Sequence, residues 1–293
     1  MIHAEPWTIG RLLNWTTDYL ARQGAHTPRL DAEVLLAEAR GCERIELYTC
    51  FDDVVDERVR TAFRELVRRR AEGTPVAYLT GRREFFSLSF RVTPDVLIPR
   101  PETELLVVEL LDLCRRRPAS ASPARIADVG AGSGIIAVAA AKHFQNSQFT
   151  AIDVSPAALA IARENAAAHG VAERIEIVES DLFAGVEDDR RFDFVASNPP
   201  YVSSKELEEL SPEVRRHEPL LALEAGEQGT DVIQRLVPQA ADRLTADGWL
   251  LIEISPMIES AVHELITADG RYDTPRTVKD LAGHPRLVLA RRM

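Results

Sequence analysis

Only three cysteines occur in the 293 residues, Cys42, Cys50 and Cys114. Their number is odd and no two share a paired spacing, which argues against disulfides and zinc ligation. Reduced cytosolic thiols are expected. The seven histidines are scattered as well, so no metal site is assigned. No apolar run approaches the ~20 residues that a membrane span requires. Met1 to Arg11 lacks the basic flank and apolar stretch of a secretory leader. A cytoplasmic protein with no membrane partner is therefore expected, and a monomer. Positive charge is in deficit too: the net charge of −11 argues against general affinity for nucleic acid, whose phosphates are held by Lys and Arg. A local basic patch remains compatible with that total, and a basic protein partner suits the acidic field. There is no internal repeat.

The length suffices for two domains with a sizeable core. Residues 1–82 read as a helical domain. Leu30, Val34 and Leu35 lie on a helix that stops at Gly41. Asp56 caps another, with Val59, Phe63, Leu66 and Val67 on its apolar face. The other face of this arginine-rich helix, 56–72, carries Arg58, Arg60, Arg64, Arg68, Arg69 and Arg70. It reads as a solvated face whose cations suit the helix C-terminus, or as a docking surface for ribosome-associated RNA. Residues 83–99 read as a β-hairpin linker: Phe86, Leu88, Phe90 and Val92 alternate, Thr93-Pro94-Asp95 turns, and Val96 to Ile98 returns. From 100 to 293 the chain reads as α/β. Arg100-Pro101-Glu102-Thr103 opens a helix, and Pro118 to Ala124 is a small-residue loop. Strands are expected at 125–130, 148–153, 174–179, 192–197, 249–254 and 286–292, with helices between most of them. That alternation implies a doubly wound, mostly parallel sheet. The segments near 271–278 and 286–292 are too close for a crossover helix and are expected to pair antiparallel.

Two stretches carry the chemistry. Ile126 to Val129 runs into Gly130-Ala131-Gly132-Ser133-Gly134 and then an Ala-rich helix. A strand, a glycine turn and a helix start form a cradle that a ligand can approach closely. The spacing is G-x-G-x-G, unlike the dinucleotide fingerprint. Asp153 ends the next strand about 20 residues on, where a carboxylate accepts from ribose hydroxyls, or else caps the helix near Pro156. Asp181 and Leu182 follow the third strand, at an adenine or in a plain turn. The fourth strand ends in Asn198-Pro199-Pro200-Tyr201. Asn198 offers a carbonyl acceptor and an amide the protein can anchor. The prolines lack N–H groups and stiffen the backbone, and Tyr201 supplies a flat face. Alone, this could be a turn. Beside the glycine loop it reads as a grip for a planar NH2 group, next to a nucleoside-containing cofactor.

These residues resemble the class I S-adenosylmethionine-dependent methyltransferases, and more narrowly the release-factor glutamine N5-methyltransferases. The resemblance runs through Gly73 to Gly81, Leu97 to Glu104, Asn198 to Tyr201 and the loop with Glu213-Val214-Arg215 and His217-Glu218-Pro219. It implies a seven-stranded catalytic domain behind an all-helical domain that helps recognise a peptide chain release factor. It also implies S-adenosyl-L-methionine as cofactor and, as substrate, the glutamine amide of the Gly-Gly-Gln loop. Gly130 to Gly134 would take the methionine end, Asp153 the ribose, and Asp181 and Leu182 the adenine. Asn198 and Pro199 would take the substrate amide, with Tyr201 beside it. Two positions depart from the family pattern. Leu182 stands where an aromatic residue often occurs, and Glu253-Ile254-Ser255-Pro256 replaces Glu-Ile-Gly. The same grip suits a DNA adenine N6-methyltransferase or a ribosomal-protein glutamine methyltransferase, whereas an RNA-docking adaptor would leave Asn198 idle.

Overall fold

The computed structural model describes residues 6–118 and 121–293. Met1 to Glu5, within the stretch read for a leader, and Ala119 and Ser120 of the small-residue loop lie outside the described residues. Contacts group the chain into two units, Met1–Gly81 with Pro212–His217, and Arg82–Ser211 with Glu218–Met293.

The first unit is helical: α1 (Ile9–Arg22), α2 (Pro28–Arg40), α3 (Glu46–Thr49), α4 (Glu57–Ala71) and α5 (Val76–Thr80). Local signals set the boundaries. The Asp56 carboxylate accepts from the Val59 N–H at 3.0 Å, satisfying a donor at the start of α4. Gly41 ends α2 in the left-handed region at φ 70°, which glycine adopts without a Cβ penalty. Leu13, Leu20, Leu35, Leu36 and Phe63 recur at helical spacing and fill one core. The arginine-rich face needs correcting. Arg70 is buried, donating to Asp31 at 2.7 Å and to Glu213 at 2.9 Å. Arg60 pairs with Glu57, and Arg68 with Glu65 and Glu72. An arginine deep in a helical unit keeps its charge, so paired carboxylates must surround it.

The second unit opens with a two-stranded antiparallel hairpin, β1 (Arg82–Phe85) and β2 (Leu88–Arg91). The expected strands were displaced by one turn: the reversal lies at Phe86 and Ser87, with φ 52° and 58°, and residues 96–98 form no strand. Two successive positive φ values match the twist of a two-residue hairpin. Glu104 holds that turn by accepting the Phe86 N–H at 2.9 Å.

After α6 (Thr103–Arg115) come β3 (Ala124–Val129), α7 (Ile135–His143), β4 (Ser147–Asp153), α8 (Pro156–Ala168), β5 (Ile175–Glu179) and β6 (Phe192–Ser197). The chain continues through α9 (Ser204–Glu209), α10 (Pro212–His217), α11 (Asp231–Arg243), β7 (Leu244–Glu253), α12 (Glu259–Asp269), β8 (Arg276–Lys279) and β9 (Pro285–Arg291). The sheet order is β5-β4-β3-β6-β7-β9-β8, parallel except where β9 joins β7 and β8. This is the doubly wound seven-stranded sheet the alternation predicts. Along β6 Phe194 and Ala196 enter one core and Val195 between them the other, by period two; a register shift between Phe192 and Phe194 breaks the alternation and puts Phe192 in the same core as Val195. Helices α6 and α7 cover the first face, and α11 and α12 the second. Strand order reverses between β3 and β6, and crevices at such switch points hold ligands in open α/β sheets. Among the described residues no helix is long and apolar enough to cross a membrane.

Candidate active site

The switch point places the two chemical stretches side by side. Val129 is registered with Ser197, and the Ser197 hydroxyl donates to the Val129 carbonyl at 2.7 Å. The glycine turn and the Asn-Pro-Pro-Tyr stretch therefore leave the sheet from adjacent strands. Gly130, Gly132 and Gly134 all have positive φ, a conformation costly for other residues. At Gly134 an added Cβ would also lie 3.1 Å from the Ala162 Cβ, so glycine lets α8 pack against the loop. At Gly132 an added Cβ would meet nothing within 4 Å; that side of the loop is open. The buried Asn165 of α8 braces the turn, donating to the Ser133 carbonyl at 2.8 Å and to the Arg91 carbonyl at 3.1 Å.

A cavity of about 380 Å³ lies over this edge, within the range of small-molecule sites. Of the residues singled out from sequence, Gly130, Ala131, Gly132, Ser133, Asp153, Asp181, Leu182, Asn198 and Pro200 line it. Gly134, Pro199 and Tyr201 are not in its wall. Pro199 is buried, and Tyr201 packs against the core beneath α11 and α12. Asp153 is not the helix cap: Ser155 caps α8, accepting the Ala158 N–H at 3.2 Å. The Asp153 carboxylate instead accepts from Gly132 N–H at 2.8 Å and Ser155 N–H at 2.9 Å. Burial pushes its carboxyl up, opposed by those N–H groups. Asp181 is half exposed and paired with Arg235 at 2.5 Å, a cavity-lining arginine that the strand pattern gave no reason to single out. Leu182 has φ 50° and is 8% exposed. Ser255, the other departure, has φ −78° and ψ 152°, ordinary extended backbone that needs no glycine.

One rim of the cavity is tied to another by Glu218, whose buried carboxylate accepts from Arg100 at 2.6 Å and from the Ile98 N–H at 3.2 Å. Beneath the tetrapeptide lies a polar chain that no local pattern announces. Asn198 Nδ2 donates to the Thr103 hydroxyl at 3.2 Å. Close by, the Glu253 carboxylate accepts from the Tyr201 hydroxyl at 3.5 Å. Thr103 and Glu253 are buried. Arg100 to Thr103 reads from sequence as a helix opening within a family-like stretch, neither of which points to the tie from Thr103 to Asn198.

Burial raises two further carboxyl groups near this edge, Asp128, opposed by the Ala137 N–H, and Glu253, opposed chiefly by Thr103, both to about 7. An ordinary unfolded carboxyl titrates near pH 4. A group held high in the fold stabilises it fully below that value, and the contribution is lost as pH rises through about 7. Unfolding free energy is thus expected to fall over that window, on the order of 1 kcal/mol per pH unit for each group. Asp128→Asn should remove one share of the slope, measured by urea unfolding at a series of pH values. An unaltered slope in that variant would contradict the assignment.

Residues 11–81 match the family described as PrmC N-terminal domain, and residues 103–213 that described as Methyltransferase small domain. The release factor glutamine methyltransferase of Rhodopirellula baltica is 50% identical over 283 residues, covering 97% of this chain and 96% of that one. Its counterpart from Geobacter sulfurreducens is 42% identical over 284 residues, covering 97% and 96%. Among solved structures, a T. thermophilus 16S rRNA N2 G1207 methyltransferase in complex with AdoMet and guanosine aligns with TM-score 0.54 at 18% identity, over 72% of this chain and 50% of that one. That likeness establishes the fold.

Proposed function

The chain belongs to the release factor glutamine methyltransferases, and from that premise we propose that it methylates the side-chain amide nitrogen (N5) of the glutamine in the Gly-Gly-Gln loop of a peptide chain release factor, with S-adenosyl-L-methionine as methyl donor. The residues at the cavity fit that donor. Backbone with positive φ and an open side at Gly132 leaves room for close approach, and the Asp153 carboxylate has the chemistry to accept from a diol. When bound, the cofactor supplies an electrophilic methyl group on a sulfonium. Gly130 to Ser133 would hold its amino-acid end, Asp153 its ribose, and Asp181 and Leu182 its base.

The observation that carries the reading is the anchored amide of Asn198. With Nδ2 engaged by Thr103, Oδ1 is left as the acceptor beside the cavity. An amide lone pair is delocalised into its carbonyl and is a poor nucleophile. Asn198 Oδ1 and the Pro199 carbonyl accept its two N–H bonds, so fixed dipoles stabilise the positive charge that develops on nitrogen, at about 3 kcal/mol for a well-placed partner. The stiff Asn-Pro-Pro backbone supplies orientation before reaction rather than during it. No strong base is required before transfer, because the alkylated amide becomes acidic. The helical unit, 1–82 in outline, would contribute to recognition of the release factor. The chain would act as a cytoplasmic monomer.

The test is labelled-methyl transfer with release factor, ribosomal protein and DNA offered in parallel. Label is expected on the glutamine of the release factor; label confined to either other substrate refutes the proposal.

A further inference from the structure

The turn that follows Glu218 lies along the cavity without being held there by its own burial. Leu221 and Ala222 line the cavity wall, yet this turn, Leu220–Ala222, leaves Leu220 53% and Leu221 63% exposed. Apolar area that stays in water contributes little to fixing a segment in place. The ends hold it instead.

At the far end, Leu223 and Ala225 are buried and laced to the residue after the tetrapeptide. The Val202 N–H donates to the Leu223 carbonyl at 2.9 Å, and the Ala225 N–H to the Val202 carbonyl at 2.9 Å. At the near end both oxygens of Glu218 are engaged: Oε1 accepts from the Arg100 guanidinium at 2.6 Å and Oε2 from the Ile98 N–H at 3.2 Å. The Glu218 side chain is 1% exposed, and a carboxylate at that depth costs desolvation that an apolar anchor would avoid. What it adds is direction, since a charged donor and a backbone donor fix two points of the chain at once. Thr103, which opens α6 just after Arg100, accepts from Asn198 Nδ2 at 3.2 Å. These contacts close a hoop. It runs from Asn198 to Thr103, back along the chain to Arg100 and Ile98, and across to Glu218. It then follows the turn to Leu223, crosses to Val202, and returns through Tyr201 and the two prolines.

We propose that Glu218 is a positioning residue for the transfer reaction: it closes this hoop and so fixes where Asn198 stands relative to the cavity. With Glu218 in place, the anchor of the Asn198 amide and the chain leaving Tyr201 are braced against each other. Without it, the entry to α6 separates from the turn, and the Thr103 hydroxyl shifts the Asn198 amide it holds. A misplacement of about 1 Å is enough to cost about 100-fold in rate. Glutamine is no substitute for Glu218. Both oxygens accept, so its NH2 group would face either the guanidinium or the Ile98 N–H, donor against donor.

This inference rests on the proposed glutamine methylation, and its test separates the two. If the wild-type protein places no label on release factor, the functional reading fails and the positioning role with it. If it does, Glu218→Gln should lower kcat about 10- to 100-fold with little change in the KM for release factor. Arg100→Ala should behave alike, and the double variant should be no worse than either single one. Arg100→Lys should recover much of the loss, since an ammonium reaches one oxygen while the Ile98 N–H keeps the other. The Arg100 variants decide the matter if Glu218→Gln does not fold. A second readout needs neither cofactor nor substrate. Amide hydrogen exchange at Val202 and Ala225 should quicken in Glu218→Gln, while exchange along β3 and β4 stays at the wild-type rate. Four results would each overturn the positioning role while leaving the methylation reading in place. They are wild-type kcat in Glu218→Gln or in Arg100→Ala, a double variant markedly slower than either single one, unchanged exchange at Val202 and Ala225, and exchange quickened through the whole sheet.

Discussion

Asn198→Ala is expected to reduce the methyl-transfer rate about 100- to 1,000-fold while changing cofactor affinity far less. The substitution deletes the Oδ1 acceptor and leaves the buried Thr103 hydroxyl without its 3.2 Å donor. The second loss belongs to stability, on the order of 1–2 kcal/mol for a buried group left unpaired. The first belongs to the reaction, because an acceptor aimed at a developing charge contributes more in the transition state than in the ground state. Single-turnover transfer of labelled methyl to release factor gives the rate, and calorimetric titration with the cofactor gives affinity. A rate near that of the wild type would refute the grip. Asn198→Asp separates shape from polarity. It keeps an acceptor but has no N–H for Thr103, and it sets a carboxylate near the buried Glu253, so it should not restore the rate.

The largest expected loss of stability follows Arg70→Met. The guanidinium is 8% exposed and spans Asp31 at 2.7 Å, Glu213 at 2.9 Å and the Thr74 carbonyl at 3.2 Å. Removing the cation leaves the Asp31 carboxylate, 4% exposed, with the Thr27 hydroxyl at 2.8 Å as its one side-chain donor among the described residues. Breaking such a buried pair from one side costs about 3–5 kcal/mol. Replacing the buried pair, as Arg70→Met with Asp31→Leu, should restore much of the loss, since the carboxylate then left without the guanidinium is Glu213, whose side chain is 33% exposed and solvated. Arg70→Lys should not restore it, because one ammonium cannot reproduce a fork that reaches three acceptors. Chemical denaturation measures all three variants. A loss below about 1 kcal/mol for Arg70→Met would assign the cluster to the class of surface ion pairs.

What the sequence discloses of this molecule depends on how local each cause is. The glycine turn after β3 and the carboxylate ending β4 were readable because each is a strand-end feature with its own residue chemistry. So was the Asn-Pro-Pro-Tyr stretch at the end of β6. The sheet was readable because its buried strands announce themselves by apolar runs. The hairpin was misplaced because Phe86 and Ser87 adopt positive φ without the Asn or Gly that marks such a turn; a carboxylate from α6 enforces it. Arg70 looked like one more solvated cation, since helical spacing alone does not separate a flank residue from a buried one. Thr103 and Glu253 stand in stretches the sequence singles out, but their place beneath Asn198 escaped notice for a related reason. Each sits at an unremarkable end of its element, and only the register of the sheet brings them beneath Asn198. The contacts that polarise the site are the long-range ones, and single-sequence patterns carry little of that information.

The pairing of Arg70 with Glu213 has a consequence for how the chain is made. The helical unit includes Pro212–His217 as well as residues up to Gly81, so synthesis of its first five helices does not complete it. Glu213 is made roughly 140 residues after Arg70, a delay of about 7–30 s at usual elongation rates. Throughout that interval the guanidinium has only Asp31 to neutralise it among its two carboxylate partners. The nascent helical unit is thus expected to be less resistant to proteolysis than the same helices in the finished protein, and to gain its full protection only after most of the sheet has been translated.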